Sequence, residues 1–215
     1  MKSRTATLNE TETGTEARLV GRLAFACMAA AILSGLLLGS WEMVRPVFGS
    51  ARYTLNPAPP AQLWSYGVLQ AFKSVGFVSG LFGFFLVATR CGSPLKIIMS
   101  LAAVGGTFYA VVWIMIAVTA RDDAIYVLNR PIGSDPHRNG GFLFLWIAPI
   151  AIGAEAFLAR RISRWKSIWV IFVGLLGPRI FGLFSPGVAM AIEGVIWLAL
   201  GYIVYISRRG ALLCR

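Results

Sequence analysis

Residues 167–207 read SIWVIFVGLLGPRIFGLFSPGVAMAIEGVIWLALGYIVYIS. Two apolar runs, 167–184 and 188–207, flank Ser185-Pro186-Gly187, and between them they carry one Arg and one Glu. A run of about 20 apolar residues crosses a bilayer as a helix. A three-residue turn containing Pro and Gly leaves the two helices only one arrangement, an antiparallel hairpin. A helix apolar on all sides must be enclosed by protein or lipid. This stretch therefore decides the fold class: an all-α, polytopic membrane helix bundle.

Further apolar runs lie at 19–40, 63–89, 97–119 and 141–159, which brings the prediction to six transmembrane helices within 19–207. The composition agrees, with 57% hydrophobic and 13% charged residues in a chain of 215. That is about half the charge of an ordinary soluble domain, and the spans leave too little polar sequence for a separate catalytic head. Residues 1–18 are rich in Thr, Glu and Arg without apolar periodicity and read as a disordered tail; 208–215 read as a short basic tail. The acidic Glu10, Glu12 and Glu16 ahead of the first run argue for a retained span over a cleaved leader. Two longer connections, 41–62 and 120–140, contain Pro57, Pro59 and Pro60 in the first and a short helical turn at 122–128 in the second.

The formal charge of +11 needs an explanation other than nucleic acid, since no basic stripe with interleaved aromatics lies outside the spans. Most cations sit at the ends of apolar runs, where they set orientation. With the N-terminus inside, the inner segments hold 13 Lys and Arg and the outer segments five. Both termini are then cytoplasmic. Trp41, Tyr53, Trp64, Tyr66 and Trp146 fall near the outer boundary, and Trp165, Trp169, Tyr202 and Tyr205 near the inner one, as an aromatic belt requires.

Four ionisable residues fall inside the predicted spans: Lys73, Glu155, Arg179 and Glu193. A charge at the bilayer centre costs about 2.5–3.5 kcal/mol on insertion scales, so these are the candidate functional residues. Arg179 precedes Pro186 by seven residues and Glu193 follows it by seven, which puts both about 10 Å below the outer edge and predicts that they pair. Pro178 frees a backbone carbonyl beside them. Lys73 enters at an overlapping depth, and Tyr66, Gln70 and Lys73 share one helical face at i, i+4, i+7. The expectation is an outward-facing polar pocket of two cations and one carboxylate, suited to a small anionic solute. The same charges also serve as structural fasteners in a protein without transport activity. Glu155, five residues before Arg160, belongs to the inner face.

Other chemistry is not legible. Asp122, Asp123, Asp135 and His137 share a connection but match no metal-ligand spacing, and the single His excludes a Cys/His zinc site. No catalytic or cofactor motif occurs, so no enzyme activity and no cofactor are expected, and the partners implied are the lipid bilayer and a small solute. Lys73 to Ser79 aligns with Arg179 to Ser185 in its cation, Gly and Ser positions, a faint echo of two inverted halves. From Pro149 onward, the order Pro149, Gly153, Arg160-Arg161, Trp165 and then Gly194 to Tyr202 resembles the closing half of small multi-pass bacterial membrane proteins of uncharacterised function. That resemblance implies a six-span inner-membrane protein and carries no activity with it.

Overall fold

The computed structural model describes residues 2–44, 60–88, 95–119, 140–160 and 162–208. Among them the chain is helical apart from short turns, with no strand. Helix α1 (Lys2–Ala30) passes through a π-helical segment (Ala31–Leu37) into α2 (Leu38–Val44). Then come α3 (Pro60–Ala88), α4 (Lys96–Thr119), α5 (Gly140–Ala159), α6 (Arg164–Leu183) and α7 (Pro186–Ser207). Four stretches are long and apolar enough to cross a membrane, Thr15–Ser40, Gly67–Ala88, Lys96–Met115 and Gly187–Ser207; Trp146–Ala159 is a shorter apolar helix. The protein is thus a helical membrane protein, and its apolar outer surface fits that solvent. On α4 the residues Leu101, Val104, Phe108, Val111, Met115 and Val118 recur every three or four positions and all are exposed.

Two boundaries differ from the sequence reading. The segment expected to be a disordered tail is helical from Lys2, as an extension of the first apolar helix. Propagating an existing helix costs far less than nucleating one, so a polar stretch with ordinary propensities can be drawn in. At the other end of the chain, α7 starts at Pro186 itself, not after the turn. Proline lacks an N–H and has its φ preset, which suits a first helical residue, and the Ser185 carbonyl accepts from Ala189 N–H at 2.9 Å. The expected turn at 122–128 and most of both long connections lie outside the described residues.

Glycines set how closely the helices meet. On α7, Gly187, Gly194 and Gly201 recur every seven residues along one face. A Cβ on Gly187 would stand 2.8 Å from the Gly39 carbonyl oxygen, one on Gly194 2.8 Å from the Gly35 Cα, and one on Gly201 3.1 Å from the Ala24 carbonyl oxygen. As α7 ascends, its partners descend, so α1 with its π segment runs antiparallel to α7 at backbone contact. Gly76, Gly80 and Gly83 of α3 meet Ala30, Cys27 and Leu23 in the same way, making α3 antiparallel to α1 too. Consequently α3 and α7 are parallel. On the opposite side α5 and α6 form a tight hairpin, with Gly153 against the Ser167 carbonyl and Gly174 against Ile150. Arg160 closes α5 in the left-handed region at φ 53°, and its N–H reaches the Ala156 carbonyl at 3.1 Å.

Candidate functional site

The parallel pairing of α3 and α7 has a constant register. Lys73 faces Glu193, Phe77 faces Trp197, and Gly80 lies against Leu200. Each step is one helical turn, so three successive layers are stacked along the bundle axis. The upper layer is ionic: Lys73 Nζ donates to Glu193 Oε2 at 2.9 Å, with the two side chains only 4% and 2% exposed. Beneath it the Phe77 and Trp197 rings stack with centroids 4.0 Å apart and planes within 10°. The Lys73 ammonium stands 5.8 Å from the Phe77 ring centre, within cation–π range.

Hydrogen bonding leaves three buried atoms of this cluster over. Among the described residues, Glu193 Oε1, Gln70 Oε1 and the Trp197 indole N–H have no hydrogen-bond partner. Gln70 is 2% exposed and sits three residues, almost one turn, before Lys73 on the same helix. Trp197 is fully buried. Buried polar atoms are nearly always paired, so three orphans along about 10 Å of helix form an unusual concentration.

Other elements complete the walls. The π segment of α1 supplies Ser34, whose hydroxyl donates to the Leu69 carbonyl at 2.7 Å, at the turn that carries Gln70 and Lys73. Helix α4 supplies Tyr109, within electrostatic reach of Glu193 and edge-on to Trp113 at 5.8 Å between ring centroids. Helix α5 supplies Trp146, whose ring is 6.3 Å from that of Trp197. Among the described residues, the ion pair therefore has the Phe77–Trp197 layer next to it, with Trp146 packed on that layer. Chemically it can hold hydrogen-bonding groups, and it contains no group of three metal-ligating side chains among the described residues.

The sequence-predicted residues are distributed as follows. Lys73, Gln70 and Glu193 lie on facing turns of α3 and α7. Tyr66 and Arg179 belong to α3 and α6, but their side chains lie outside the described residues, so the expected Arg179–Glu193 pair is not among the described contacts. The described partner of Glu193 is Lys73, because the close α3–α7 approach puts these two in register. Glu155 is half-buried near the end of α5. It belongs to the opposite end of the bundle, where Lys166 Nζ donates to Ser207 Oγ at 2.8 Å. Glu193 precedes Ser207 by 14 residues, about 21 Å of helix.

Two expectations need correction. The polar centre is sealed in this conformation and not an open vestibule, since Gln70, Lys73 and Glu193 are all buried. Trp146 is not an interfacial belt residue; it is 5% exposed and packs inward on Trp197. The Phe77–Trp197 layer was missed, although a charge followed four residues later by an aromatic occurs in both Lys73-x-x-x-Phe77 and Glu193-x-x-x-Trp197. No family model matches the chain, and neither a curated protein nor a solved structure matches it.

Proposed function

We propose that this chain is a six-span protein of the bacterial inner membrane, with both termini cytoplasmic, that binds and passes a small polar solute at the Lys73–Glu193 centre. The observation that carries this reading is a pair of oxygens without partners among the described residues, Glu193 Oε1 and Gln70 Oε1, beside an ion pair buried in an apolar bundle. A pair kept only to fasten helices gains from having all its acceptors satisfied, whereas a binding site needs acceptors held ready. The layers from Gln70 through Lys73 and Glu193 to Trp197 run along the bundle axis, the direction of passage.

The topology is supported by where the cations lie. Gly21 of α1 approaches Arg208, Lys166 bonds Ser207, and Arg208 stacks on Tyr205 at 3.6 Å, so cations of α6 and of the α7 C-terminus gather at one end beside α1. Exposed Trp165, Tyr202 and Tyr205 surround them, as at a membrane interface. Alternating helix directions in the α1–α3, α1–α7 and α5–α6 contacts fit six successive crossings.

A second reading, a structural or sensory component whose ion pair is only a fastener, is favoured by one observation, the closure of the pair from solvent. Uptake by proteoliposomes separates the two. The panel is labelled chloride, choline and urea, and the comparison is wild type, protein-free vesicles and the exchanged pair Lys73→Glu with Glu193→Lys. Uptake of any member by wild type that is lost in a folded exchange variant supports passage. Baseline uptake of all three overturns it in favour of fastening.

A further inference from the structure

Building on that reading, we infer that the centre takes an uncharged solute bearing both hydrogen-bond donors and an acceptor, of the urea or small carboxamide class. Lys73 and Glu193 neutralise each other at 2.9 Å, so the described groups of the centre sum to zero. A charged ligand added to a neutral pair brings an uncompensated charge into a low-dielectric interior, which costs several kcal/mol. The anionic preference expected from the sequence required a second cation, and none of the described side chains around the pair provides one.

The inventory of orphan atoms then defines the ligand. Glu193 Oε1 and Gln70 Oε1 are acceptors and ask for donors; the Trp197 indole N–H is a donor and asks for an acceptor. Simple anions offer no donors to the two oxygens, and quaternary ammonium ions offer neither donors nor an acceptor. A carbonyl flanked by N–H groups offers both kinds. The surroundings also select for a flat, compact molecule, since the floor is the stacked Phe77–Trp197 pair with Trp146 against it. Planar amides lie favourably on aromatic faces, and burial of the orphans removes the competition from bulk water.

The test is class-resolved uptake into proteoliposomes of the full chain, with labelled urea, choline and chloride and with osmotic water flow measured in parallel. Urea uptake several-fold above protein-free vesicles is expected, with choline and chloride at baseline. Trp197→Phe keeps a stacking ring and removes only the N–H, and Gln70→Leu removes the acceptor; each should lower the urea component about tenfold, the effect of leaving one hydrogen bond unmade. Both variants are first checked for a monodisperse elution profile. Uptake of chloride or choline with urea at baseline overturns the ligand class while leaving passage intact. Water flow alone, with all three solutes at baseline, overturns it by making the orphans a hydration site. Urea uptake unchanged in both folded variants overturns the assignment of these atoms.

Discussion

Neutralising one or both members of the Lys73–Glu193 pair gives the sharpest test of the site's energetics. At 2.9 Å and an effective dielectric of about 20, the gross attraction is about 6 kcal/mol. Desolvation of both ions offsets most of it, so the pair contributes little net stability compared with an apolar pair of similar volume. Removing one partner is different. Lys73→Met leaves a buried carboxylate and Glu193→Gln leaves a buried ammonium, each at a cost of about 3–5 kcal/mol. The double variant, with no ion to strand, should lie within about 1 kcal/mol of wild type or above it. Unfolding in mixed micelles, followed as a double-mutant cycle, measures the coupling. Two singles that each unfold with wild-type stability, or a double variant that loses the sum of the two, would refute the picture of a sealed pair.

Four further outcomes follow from the packing and the topology. Gly194→Ala places a methyl 2.8 Å from the Gly35 Cα and should cost about 1–3 kcal/mol, whereas Gly21→Ala meets only the flexible Arg208 side chain at 3.9 Å and should stabilise α1 by up to about 1 kcal/mol; thermal unfolding in detergent reads both. Trp197→Ala should cost about 3–5 kcal/mol by the same assay, with most of that regained in Trp197→Phe, because the ring stack on Phe77 accounts for much of the burial. Arg160→Gly relieves a left-handed φ of 53° and should raise stability by about 1 kcal/mol. Single cysteines introduced at Ser50 and Ser134 in a background lacking Cys27, Cys91 and Cys214 should react with an impermeant maleimide from outside, and one at Ser163 should not; the reverse pattern inverts the topology.

The sequence makes the helices legible because a bilayer imposes a one-dimensional rule: enough consecutive apolar residues, whatever their partners. Each of the six apolar runs is helical in the described residues, and Ser185-Pro186-Gly187 lies at the α6–α7 junction. Which side chains meet is a different kind of information. Depth counted from Pro186 placed Arg179 and Glu193 at one level, but many residues share a level. The choice of Lys73 as the described partner comes from rotation and register, which are set by small residues: Gly76 and Gly80 turn one face of α3 to α1, and Gly194 and Gly201 turn one face of α7 to the same helix. With those faces fixed, Lys73 and Glu193 are brought to the remaining α3–α7 seam. The glycine spacing was visible as a packing signal, and the two charge-then-aromatic repeats were visible as well. Combining them needs the knowledge that α1 lies between both partners on one side, and no local pattern carries that. The π segment at Ala31–Leu37 is equally hidden, since AILSGLL is an unremarkable apolar stretch until Ser34 is seen bonded to α3.

The same packing bears on how a sealed site can be reached. On one side α1, its π segment and α2 meet α3 and α7 at backbone distance, through Gly76, Gly80, Gly187, Gly194 and Gly201. Parting those helices would break many tight contacts together, because close-packed surfaces have two arrangements, docked or separated, with little between. On the other side the walls are side chains: Tyr109 and Trp113 from α4, and Trp146 from α5 leaning on Trp197. Helix α4 turns one face outward and packs the other against α3 and α5. Aromatic rings can also swing about two torsions while their helices stay in place, a cheaper motion than helix separation. For the solute passage proposed above, the route to the Lys73–Glu193 layer is predicted to run past the aromatic side chains of α4 and α5, opposite the glycine-packed α1–α3–α7 side. On the proposed reading the ion pair holds α3 and α7 in register while the neighbouring rings give access, so fastening and binding are compatible roles for one pair.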